Sequence, residues 1–458
     1  MYQVDFNKPI HVFFCGIGGI SMSGLAEILH SRGFRISGSD MKASELTRHL
    51  EEKGITVNIG QKASNITDDI DLFVYTAAIH SDNPEWVTMQ SKNIPSLSRA
   101  ELLGEIMRNF ELPIAVSGTH GKTTTTSMIS EILMGADLDP TITVGGILKS
   151  IEGNIRIGHS DYFVTEACEY TNSFLSFFPK IALILNIEED HMDFFKDIDD
   201  IRNSFSRFAA LLPKDGALII NGEIDNIDAI CSNLPCKIYT YGPDSRFDYY
   251  PSDIVFDDFS RATYTLHSPN GESCVTLGVP GMHNVSNSLA AICCADICNV
   301  GREAAIAALK GFNGTDRRFE YKGKIGEVTI IDDYAHHPTE ILSTLNAAKK
   351  CSYNKLWVVF QPHTYTRTKA FLSQFADALS LADGVILADI YAAREKNTIG
   401  ITSRDLQDML IKLGKECYYF PTFDEIENFC LKNCAPGDML ITMGAGDIVK
   451  IGESLLGL

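Results

Sequence analysis

The chain lacks the features that mark secreted and membrane-spanning proteins. Its twelve cysteines include no C-x-x-C pair, which indicates free thiols in a reducing compartment rather than a disulfide framework or a zinc site. The apolar run that begins at Ile10 is interrupted by Gly16, Gly18 and Gly19, so it predicts neither a signal peptide nor a membrane span. We therefore expect a cytoplasmic protein.

Positive charge is also scarce. The 39 lysine and arginine residues are outnumbered by 59 aspartate and glutamate residues, and the formal net charge is -20. Such a charge argues against nucleic acid and against an anionic membrane as partners, so anionic ligands must bind in local pockets. The length of 458 residues and the hydrophobic content of 45% predict an ordinary globular protein of two to four domains.

A glycine-rich loop at residues 117–124 carries the strongest functional signal. It lies between a predicted apolar strand that ends at Val116 and a predicted helix. Backbone N–H groups in such a loop, at the start of a helix, favour a bound phosphate. Lys122 is placed to reach terminal phosphates, and the hydroxyl of Thr123 is placed to bind Mg²⁺. Because Val116 replaces the first glycine of the strict pattern, the match is to the shorter form G-x-x-G-K-T.

A second glycine turn lies near the start of the chain. It follows a predicted strand, Ile10–Cys15, and precedes a predicted helix and a second strand that ends at Ser39 and Asp40. Ser21 replaces the third glycine of the dinucleotide pattern G-x-G-x-x-G. The pattern predicts a phosphorylated nucleotide with Asp40 near its ribose. NAD, another nucleotide and a purely structural turn all remain open at this point.

Acidic and histidine side chains follow two further predicted strands. Glu166 ends the first, and His191 follows the second. Ligands lie beyond the carboxyl ends of parallel strands, so both residues should face the same crevice as the phosphate loop and could hold Mg²⁺. A capping or surface role for His191 is an equal alternative. Helix capping is also an alternative to ligand contact for Asn284 and Asn287.

The last third of the chain alternates apolar strands with helices, which indicates a parallel sheet covered on both faces. One of its predicted helices spans Lys369–Leu381. Polar residues gather after four of the strands and predict a second wall of the site. These strand tips are Asp332–His337, Gln361–Arg367, Tyr391–Lys396 and Gly444–Asp447.

Three α/β units that contain G-T-H-G-K-T-T, E-E-D-H-M-D and D-D-Y-A-H-H-P-T-E resemble the Mur ligases over essentially the whole chain. The resemblance implies a Rossmann-like UDP-sugar-binding domain at 1–107, a central phosphate-loop ATPase domain at 108–315 and a Rossmann-like amino-acid-binding domain at 316–458. It implies an ATP-dependent ligase that joins L-alanine to the carboxylate of UDP-N-acetylmuramate through an acyl phosphate, in peptidoglycan synthesis. It also implies two Mg²⁺ ions and a monomer or weak homodimer.

The same resemblance assigns the site residues. Catalytic roles fall to Lys122, Glu166, His191 and His337, and metal binding to Thr123, Glu166 and His191. The UDP-sugar would contact Gly16, Ile17, Gly18, Gly19, Ile20, Ser21, Ser39 and Asp40. ATP would contact Gly118, Thr119, His120, Gly121, Lys122, Thr123, Thr124, Asn284, Asn287, Arg318 and Asp333. L-Alanine would contact Tyr334, His336 and Arg367, with Thr364 where some relatives carry a second arginine.

Two alternatives stay open. A recycling ligase that adds a murein tripeptide to the same UDP-sugar shares the motifs, although residues 16–19 and Gln361–Arg367 favour the alanine-adding enzyme. A non-catalytic nucleotide-binding protein would keep the phosphate loop, but it should lack part of the set formed by Lys122, Glu166 and His191.

Overall fold

The structure is a computed structural model that describes residues 2–393 and 395–458. Met1 and Arg394 lie outside the described residues, so the predicted tip Tyr391–Lys396 is described only in part. Three α/β sheets follow one another along the chain, and a small antiparallel sheet lies between the second and the third. None of the helices in the described ranges is both long enough and apolar enough to cross a membrane.

The first sheet places the glycine turn at the carboxyl end of its central strand. Five parallel strands lie in the order β3-β2-β1-β4-β5. Alternate residues of β1 enter two hydrophobic cores, one on each face, as expected for a covered parallel strand. The strands are β1 (His11–Cys15), β2 (Arg35–Asp40), β3 (Thr56–Ile59), β4 (Leu72–Tyr75) and β5 (Ser96–Ser98). The helices are α1 (Ile20–Ser31), α2 (Glu45–Glu52), α3 (Pro84–Ser91) and α4 (Arg99–Met107).

The second sheet places the phosphate loop in the equivalent position. Its strand order is β12-β11-β10-β6-β9-β7-β8, with β8 antiparallel to β7. The loop follows β6, and the carboxyl ends of β10 and β9 lie on either side of it. The strands are β6 (Leu112–Ser117), β7 (Thr141–Leu148), β8 (Gly153–Arg156), β9 (Tyr162–Glu166), β10 (Ile181–Ile184), β11 (Ala217–Asn221) and β12 (Lys237–Tyr241). The helices are α5 (Lys122–Gly135), α6 (Ile198–Ala209) and α7 (Ile227–Cys231).

A three-stranded antiparallel sheet, in the order β13-β14-β15, leads into a long buried helix, α8. The hydroxyl of Tyr264 in β14 lies 2.8 Å from the hydroxyl of Ser288 in α8, which joins the two elements inside the core. This sheet thereby holds α8 beside the phosphate loop. The elements are β13 (Tyr250–Phe256), β14 (Arg261–Ser268), β15 (Gly271–Pro280), α8 (Met282–Ile297) and α9 (Arg302–Gly311).

The third sheet has the order β16-β17-β21-β18-β19-β20, and its strands from β17 onward pair in parallel. The four predicted polar tips follow β17, β18, β19 and β21, so they share one edge. The strands are β16 (Glu320–Ile325), β17 (Val328–Asp333), β18 (Leu356–Phe360), β19 (Gly384–Leu387), β20 (Glu416–Tyr419) and β21 (Met439–Met443). The helices are α10 (Pro338–Ala348), α11 (Tyr365–Ala370), α12 (Leu372–Leu379), α13 (Ser403–Lys412), α14 (Phe423–Asn433) and α15 (Val449–Leu456).

The structure differs from the sequence predictions at two places in this sheet. The single helix predicted at Lys369–Leu381 is wrong, because α11 and α12 meet at Phe371, whose backbone is not helical (φ -110°, ψ 21°). The ring of Phe371 turns towards His337, with their ring centres 4.9 Å apart. The antiparallel edge strand β16 was not expected. It joins β17 through a two-residue turn at Gly326 and Glu327, both with positive φ, which is the geometry typical of a tight hairpin.

A close backbone approach fixes how the first sheet packs against the second. A Cβ atom added to Gly104 in α4 would lie 1.9 Å from the carbonyl oxygen of Ser176. Ser176 ends a 3₁₀ segment, Tyr170–Ser176, that follows β9. Since the obstacle is backbone rather than a movable side chain, only glycine allows this contact.

We expect Gly104→Ala to lower stability by about 1–3 kcal/mol, because the methyl group must push α4 away from Ser176. The melting temperature measures the effect. The matched control is Gly135→Ala, also in a helix, where the new Cβ would lie an ordinary 3.6 Å from the Cβ of Ala308. Alanine should be neutral or stabilising there, by up to about 1 kcal/mol. Equal melting temperatures for the two variants would contradict this account of the interface.

Candidate functional site

The phosphate loop is held in place from two sides. Gly118 and Gly121 have φ angles of 143° and 83°, which glycine adopts without strain. A Cβ on Gly121 would lie 2.8 Å from Oδ1 of Asn287, so the loop passes directly against α8. On the other side, Oδ1 of Asn186 accepts the N–H of His120 at 2.8 Å, and its Nδ2 donates to the carbonyl of His120 at 3.1 Å. The loop is therefore shaped before any phosphate arrives.

Lys122 points back over this loop and forms an ion pair. Its Nζ donates to the carbonyls of Gly118 and Thr119 and lies 3.0 Å from Oε2 of Glu169. Burial on its own would lower the pKa of Lys122, but the carboxylate of Glu169 outweighs it and the pKa lies above its usual value. Glu169 was not predicted as a site residue. The second acidic residue of E-A-C-E, directly after β9, was the signal for it.

Thr123 and Glu166 lie against a pair of glycines in β7. A Cβ on Gly146 would lie 3.2 Å from Cγ2 of Thr123, and one on Gly145 would lie 3.0 Å from the carboxylate oxygens of Glu166. The N–H of Gly145 donates to Oε1 of Glu166 at 2.6 Å. A hydroxyl and a carboxylate beside a phosphate loop are oxygen ligands of the kind that Mg²⁺ prefers, so these residues fit the predicted ion. Nη2 of Arg318 lies 3.5 Å from the hydroxyl of Thr123.

His191 lies on the other side of Glu169. Its Nε2 is 3.8 Å from Oε1 of Glu169, and its ring stacks on Tyr170 with ring centres 4.5 Å apart. Burial lowers the pKa of His191, so the ring is neutral at neutral pH, the form that binds a metal. The structure thus brings Lys122 and His191 to the same carboxylate. Their catalytic and metal-binding roles stay predictions.

A cavity of about 120 Å³ opens beside the loop, between the second and third sheets. Asn284 and Asn287 line this cavity, and neither caps α8. Nδ2 of Asn284 donates to the carbonyl of Pro280 at 2.7 Å, and Nδ2 of Asn287 donates to Oδ1 of Asn284 at 3.0 Å. Asp333 forms the opposite wall, where burial raises its pKa to about 6. The cavity therefore has polar groups on both of its walls, as the predicted ATP contacts require.

A larger cavity, of about 390 Å³, lies between the tip of β10 and the tips of the third sheet. Nη2 of Arg367 lies 2.8 Å from Oδ1 of Asp190. Burial opposes ionisation of Asp190, but the guanidinium of Arg367 outweighs it and holds the pKa of the carboxyl well below its usual range. Tyr334 and His336 also line the cavity, and burial lowers the pKa of His336 to about 4, so its ring is neutral. The three predicted alanine-binding residues therefore share one cavity.

Thr364 has a structural task that an arginine would not perform in the same way. It has a φ angle of 65° and is the N-terminal cap of α11, where its hydroxyl accepts the N–H of Arg367 at 3.4 Å. Thr364, which stands where some relatives carry a second arginine, therefore helps to position Arg367.

The glycine turn that follows β1 is held by the end of the neighbouring strand β2. The N–H groups of Gly16 and Ile17 donate to the carbonyl of Ser39 at 2.8 and 2.9 Å, and that of Gly18 donates to Oδ2 of Asp40 at 2.9 Å. Ile17 and Ser39 are fully buried. The side chain of Ile17 packs in the core, and the hydroxyl of Ser39 donates to Glu85 at 2.6 Å. The predicted contacts of these two residues with the UDP-sugar stay predictions.

The next residues of this turn face the second sheet. Ile20 and Ser21 line a cavity of about 380 Å³ together with Arg99 and Glu166. Nη1 of Arg99 donates to the hydroxyl of Ser21 at 3.1 Å. The predicted UDP-sugar turn and the predicted metal ligand Glu166 therefore lie at two ends of one cavity.

His120 connects the phosphate loop to the third sheet. Its Nδ1 lies 3.1 Å from Oε1 of Glu340 in α10, and its Nε2 lies 3.5 Å from Oε2 of Glu188. Burial opposes protonation of His120, but the two carboxylates raise its pKa to about 9. Thr339 of α10 also donates its hydroxyl to Glu188 at 2.7 Å. Glu188 and Glu340 were not predicted as site residues.

His337 lies in the same gap rather than on the wall of the larger cavity. It is buried and forms the N-terminal cap of α10, where its Nδ1 accepts the N–H of Thr339 at 3.4 Å. Its Nε2 lies 3.2 Å from the carbonyl oxygen of Glu189. His337 therefore forms a contact between the second and third sheets. Its catalytic role stays a prediction.

Three family models match consecutive parts of the chain. The Mur ligase family catalytic domain matches residues 11–111, the Mur ligase middle domain residues 116–295, and the Mur ligase glutamate ligase domain residues 317–446. An Agathobacter rectalis protein named UDP-N-acetylmuramate–L-alanine ligase is 60% identical over 457 residues, which is 100% of both chains.

Two solved structures resemble the whole chain. The UDP-N-acetylmuramate-alanine ligase of Thermotoga maritima has a TM-score of 0.81 at 29% identity, with 98% of both chains covered. The murein peptide ligase of Psychrobacter arcticus has a TM-score of 0.70 at 25% identity, also with 98% of both chains covered. Since the sequence matches extend across all three α/β sheets, the chain belongs to the Mur ligase family.

Proposed function

We propose that the protein is an ATP-dependent ligase that joins L-alanine to the carboxylate of UDP-N-acetylmuramate. The observation that carries this proposal is that the phosphate loop lines one cavity, while Glu166 and His191, which lie near Lys122 of that loop, line two others. One lies beside His120 between the second and third sheets, one reaches the first-sheet turn from Glu166, and one extends from His191 to Arg367. The names of the 51–60% identical relatives support the same activity.

The proposed chemistry needs activation, because a carboxylate and an ammonium group do not condense unaided at neutral pH. ATP would phosphorylate the sugar-linked carboxylate, and the amine of L-alanine would displace phosphate from the acyl phosphate. The protein would position the reacting groups and neutralise the negative charge of the phosphates. Lys122 would stabilise the transferring phosphoryl group, and Arg367 would bind the alanine carboxylate through two parallel hydrogen bonds.

Mg²⁺ would neutralise phosphate oxygens during this transfer. Thr123 and Glu166 would hold one ion, and His191 would help to hold a second. The donor types fit this role, since Glu166 offers a carboxylate beside the loop and His191 a neutral ring.

The recycling ligase is the nearest alternative. Its murein peptide ligase relative has the lower TM-score of the two compared structures, 0.70 against 0.81, and the relatives with 51–60% identity carry the name of the alanine enzyme. A non-catalytic nucleotide-binding protein is disfavoured for a different reason. Lys122, Glu166 and His191 are all present in the sequence, and the contacts of Lys122 and His191 with Glu169 support a catalytic site.

We also propose that the third domain, at 316–458, closes onto the central domain, at 108–315, around the nucleotide. Several contacts between side chains cross this boundary. They include His120 with Glu340, Glu188 with Thr339, and Asp190 with Arg367. Because each joins a strand tip of the central domain to a tip or helix of the third, the described state is closed.

Phosphate release tests the proposed substrates. Incubation with ATP, UDP-N-acetylmuramate and L-alanine should release phosphate, whereas ATP with either partner alone should not. Replacement of L-alanine by the murein tripeptide is the matched comparison. Release with the tripeptide only would assign the recycling activity, and no release with either would favour the non-catalytic alternative.

Lys122→Ala should lower the rate of phosphate release by at least about 10²–10³-fold, because the charge that stabilises the phosphoryl group is lost. UDP-sugar binding, measured by calorimetry, should stay nearly unchanged, since the glycine turn belongs to another domain. Lys310→Ala, on the exposed end of α9, is the control and should keep full activity. Joint loss of nucleotide and UDP-sugar binding in Lys122→Ala would refute the separate sites.

The ion pairs of His120 with Glu340 and Glu188 should make the folding stability of the protein depend on pH. Its folded pKa of about 9 lies above the ordinary 6.5, so its contribution is complete below pH 6.5 and is lost as the pH rises through 9. NMR of the histidine rings, with a chelator present, measures that pKa. Glu340→Gln should lower it and flatten the loss of melting temperature across this range. The control Glu303→Gln, exposed on α9, should leave both unchanged. A pKa of His120 near 6.5 in the unaltered chain would contradict the contact.

A further inference from the structure

Two histidines and one glutamate form a cluster in the gap between the central and third domains. His120 belongs to the phosphate loop, Glu188 follows β10, and His337 precedes α10. One potential ligand atom of each lies within 4.8 Å of the other two. The magnesium ligands predicted from the sequence are different residues. His120 has a predicted ATP contact and His337 a predicted catalytic role, but neither prediction joins these three residues as a metal site.

The spacing in the cluster fits a shared ion better than a direct hydrogen bond. Nε2 of His120 lies 3.5 Å from Oε2 of Glu188, outside the usual N–H···O range of about 2.7–3.2 Å. Two ligands that each lie about 2.1 Å from a tetrahedral ion are about 3.4 Å apart. Nε2 of His120 is also buried and has no hydrogen-bond partner among the residues that the structure describes. An ion at this point would supply the missing partner.

Neighbouring groups orient the three side chains as metal ligands usually are. Glu340 lies 3.1 Å from Nδ1 of His120, so that nitrogen can keep its proton while an ion displaces the proton on Nε2. The hydroxyl of Thr339 donates to Glu188 at 2.7 Å. Nε2 of His337 lies 3.2 Å from the backbone carbonyl oxygen of Glu189, which helps to fix the orientation of this ring.

We propose that His120, Glu188 and His337 bind a divalent transition-metal ion such as Zn²⁺. Two imidazoles and one carboxylate suit Zn²⁺, Co²⁺ or Ni²⁺, whereas Mg²⁺ prefers oxygen ligands alone. Because the ligands come from both domains, the ion joins the phosphate loop to the start of α10 and holds the gap closed. The site is separate from the predicted magnesium site and does not depend on the reaction proposed above.

Zinc binding to the chelator-treated full chain, with excess Mg²⁺ and without nucleotide, tests the proposal. We expect one equivalent of Zn²⁺ in equilibrium dialysis and a higher melting temperature, since the ion binds only the folded state. Glu188→Gln and Glu340→Gln should each weaken binding by about tenfold or more, the first by loss of a ligand and the second by loss of its orientation. The controls Glu166→Gln and His191→Asn should bind zinc like the unaltered chain.

Co²⁺ distinguishes this site from the cysteines. The Co²⁺ form should show visible absorption bands without a thiolate charge-transfer band. Such a thiolate band, equal zinc affinity in Glu188→Gln and the unaltered chain, or loss of binding in either control would overturn the proposal. Absence of zinc binding would also overturn it, and His120 would then carry only a proton between its two carboxylates. His337→Asn provides the same comparison if Glu188→Gln does not fold.

Discussion

The ion pair between Lys122 and Glu169 is the interaction on which the rest of the site depends. A chain with a net charge of -20 offers an incoming triphosphate a repulsive surface, so the attraction must be local. Glu169 keeps the ammonium group charged inside a largely buried site, and the backbone carbonyls of the phosphate loop hold it at the correct place. Glu169 also lies beside His191, so one carboxylate positions two of the predicted catalytic groups.

The arrangement of the sheets brings the remaining groups to this ion pair. In each domain the functional loops follow the carboxyl ends of parallel strands, and in the central domain β10, β6 and β9 lie side by side. The tips of β9 and β10 therefore supply acidic and imidazole groups on either side of the phosphate loop. The third domain adds Arg318 and Arg367 from across the gap, so the positive charge around the ligands comes from more than one domain.

Much of this architecture could be predicted from the sequence, because apolar parallel strands and glycine loops are local signals. The strand into the phosphate loop, the helix after it and the described residues of the four polar tips lie where the patterns indicated. The break between α11 and α12 could not be predicted in this way, since it depends on the packing of the Phe371 ring against His337 across the domain. The polar edge strand β16 also lacked the apolar signal of the other strands.

Less of the candidate site could be predicted from the sequence, because its contacts join residues that are far apart in the chain. Motifs indicated which residue types follow each strand, but the choice of partners is decided in space. Glu340 contacts His120 although 220 residues separate them, and Asp190 pairs with Arg367 over a separation of 177 residues. The turn at Ile17 shows a further limit of motifs, because the side chain of a residue inside a predicted binding motif is buried in the core.

The paired glycines of β7 place a limit on how this strand can vary. Glycine weakens a strand because it provides no side chain for packing and has more freedom in the unfolded chain. At Gly145 and Gly146 any side chain would begin within 3.0–3.2 Å of Glu166 or Thr123. Strand β7, next to the edge strand β8, therefore has no side chains at these two positions. The packing that such side chains would provide is absent, and the backbone lies close to Glu166 and Thr123 instead. Stabilising this strand by ordinary β-forming residues would close the space in which the chemistry takes place.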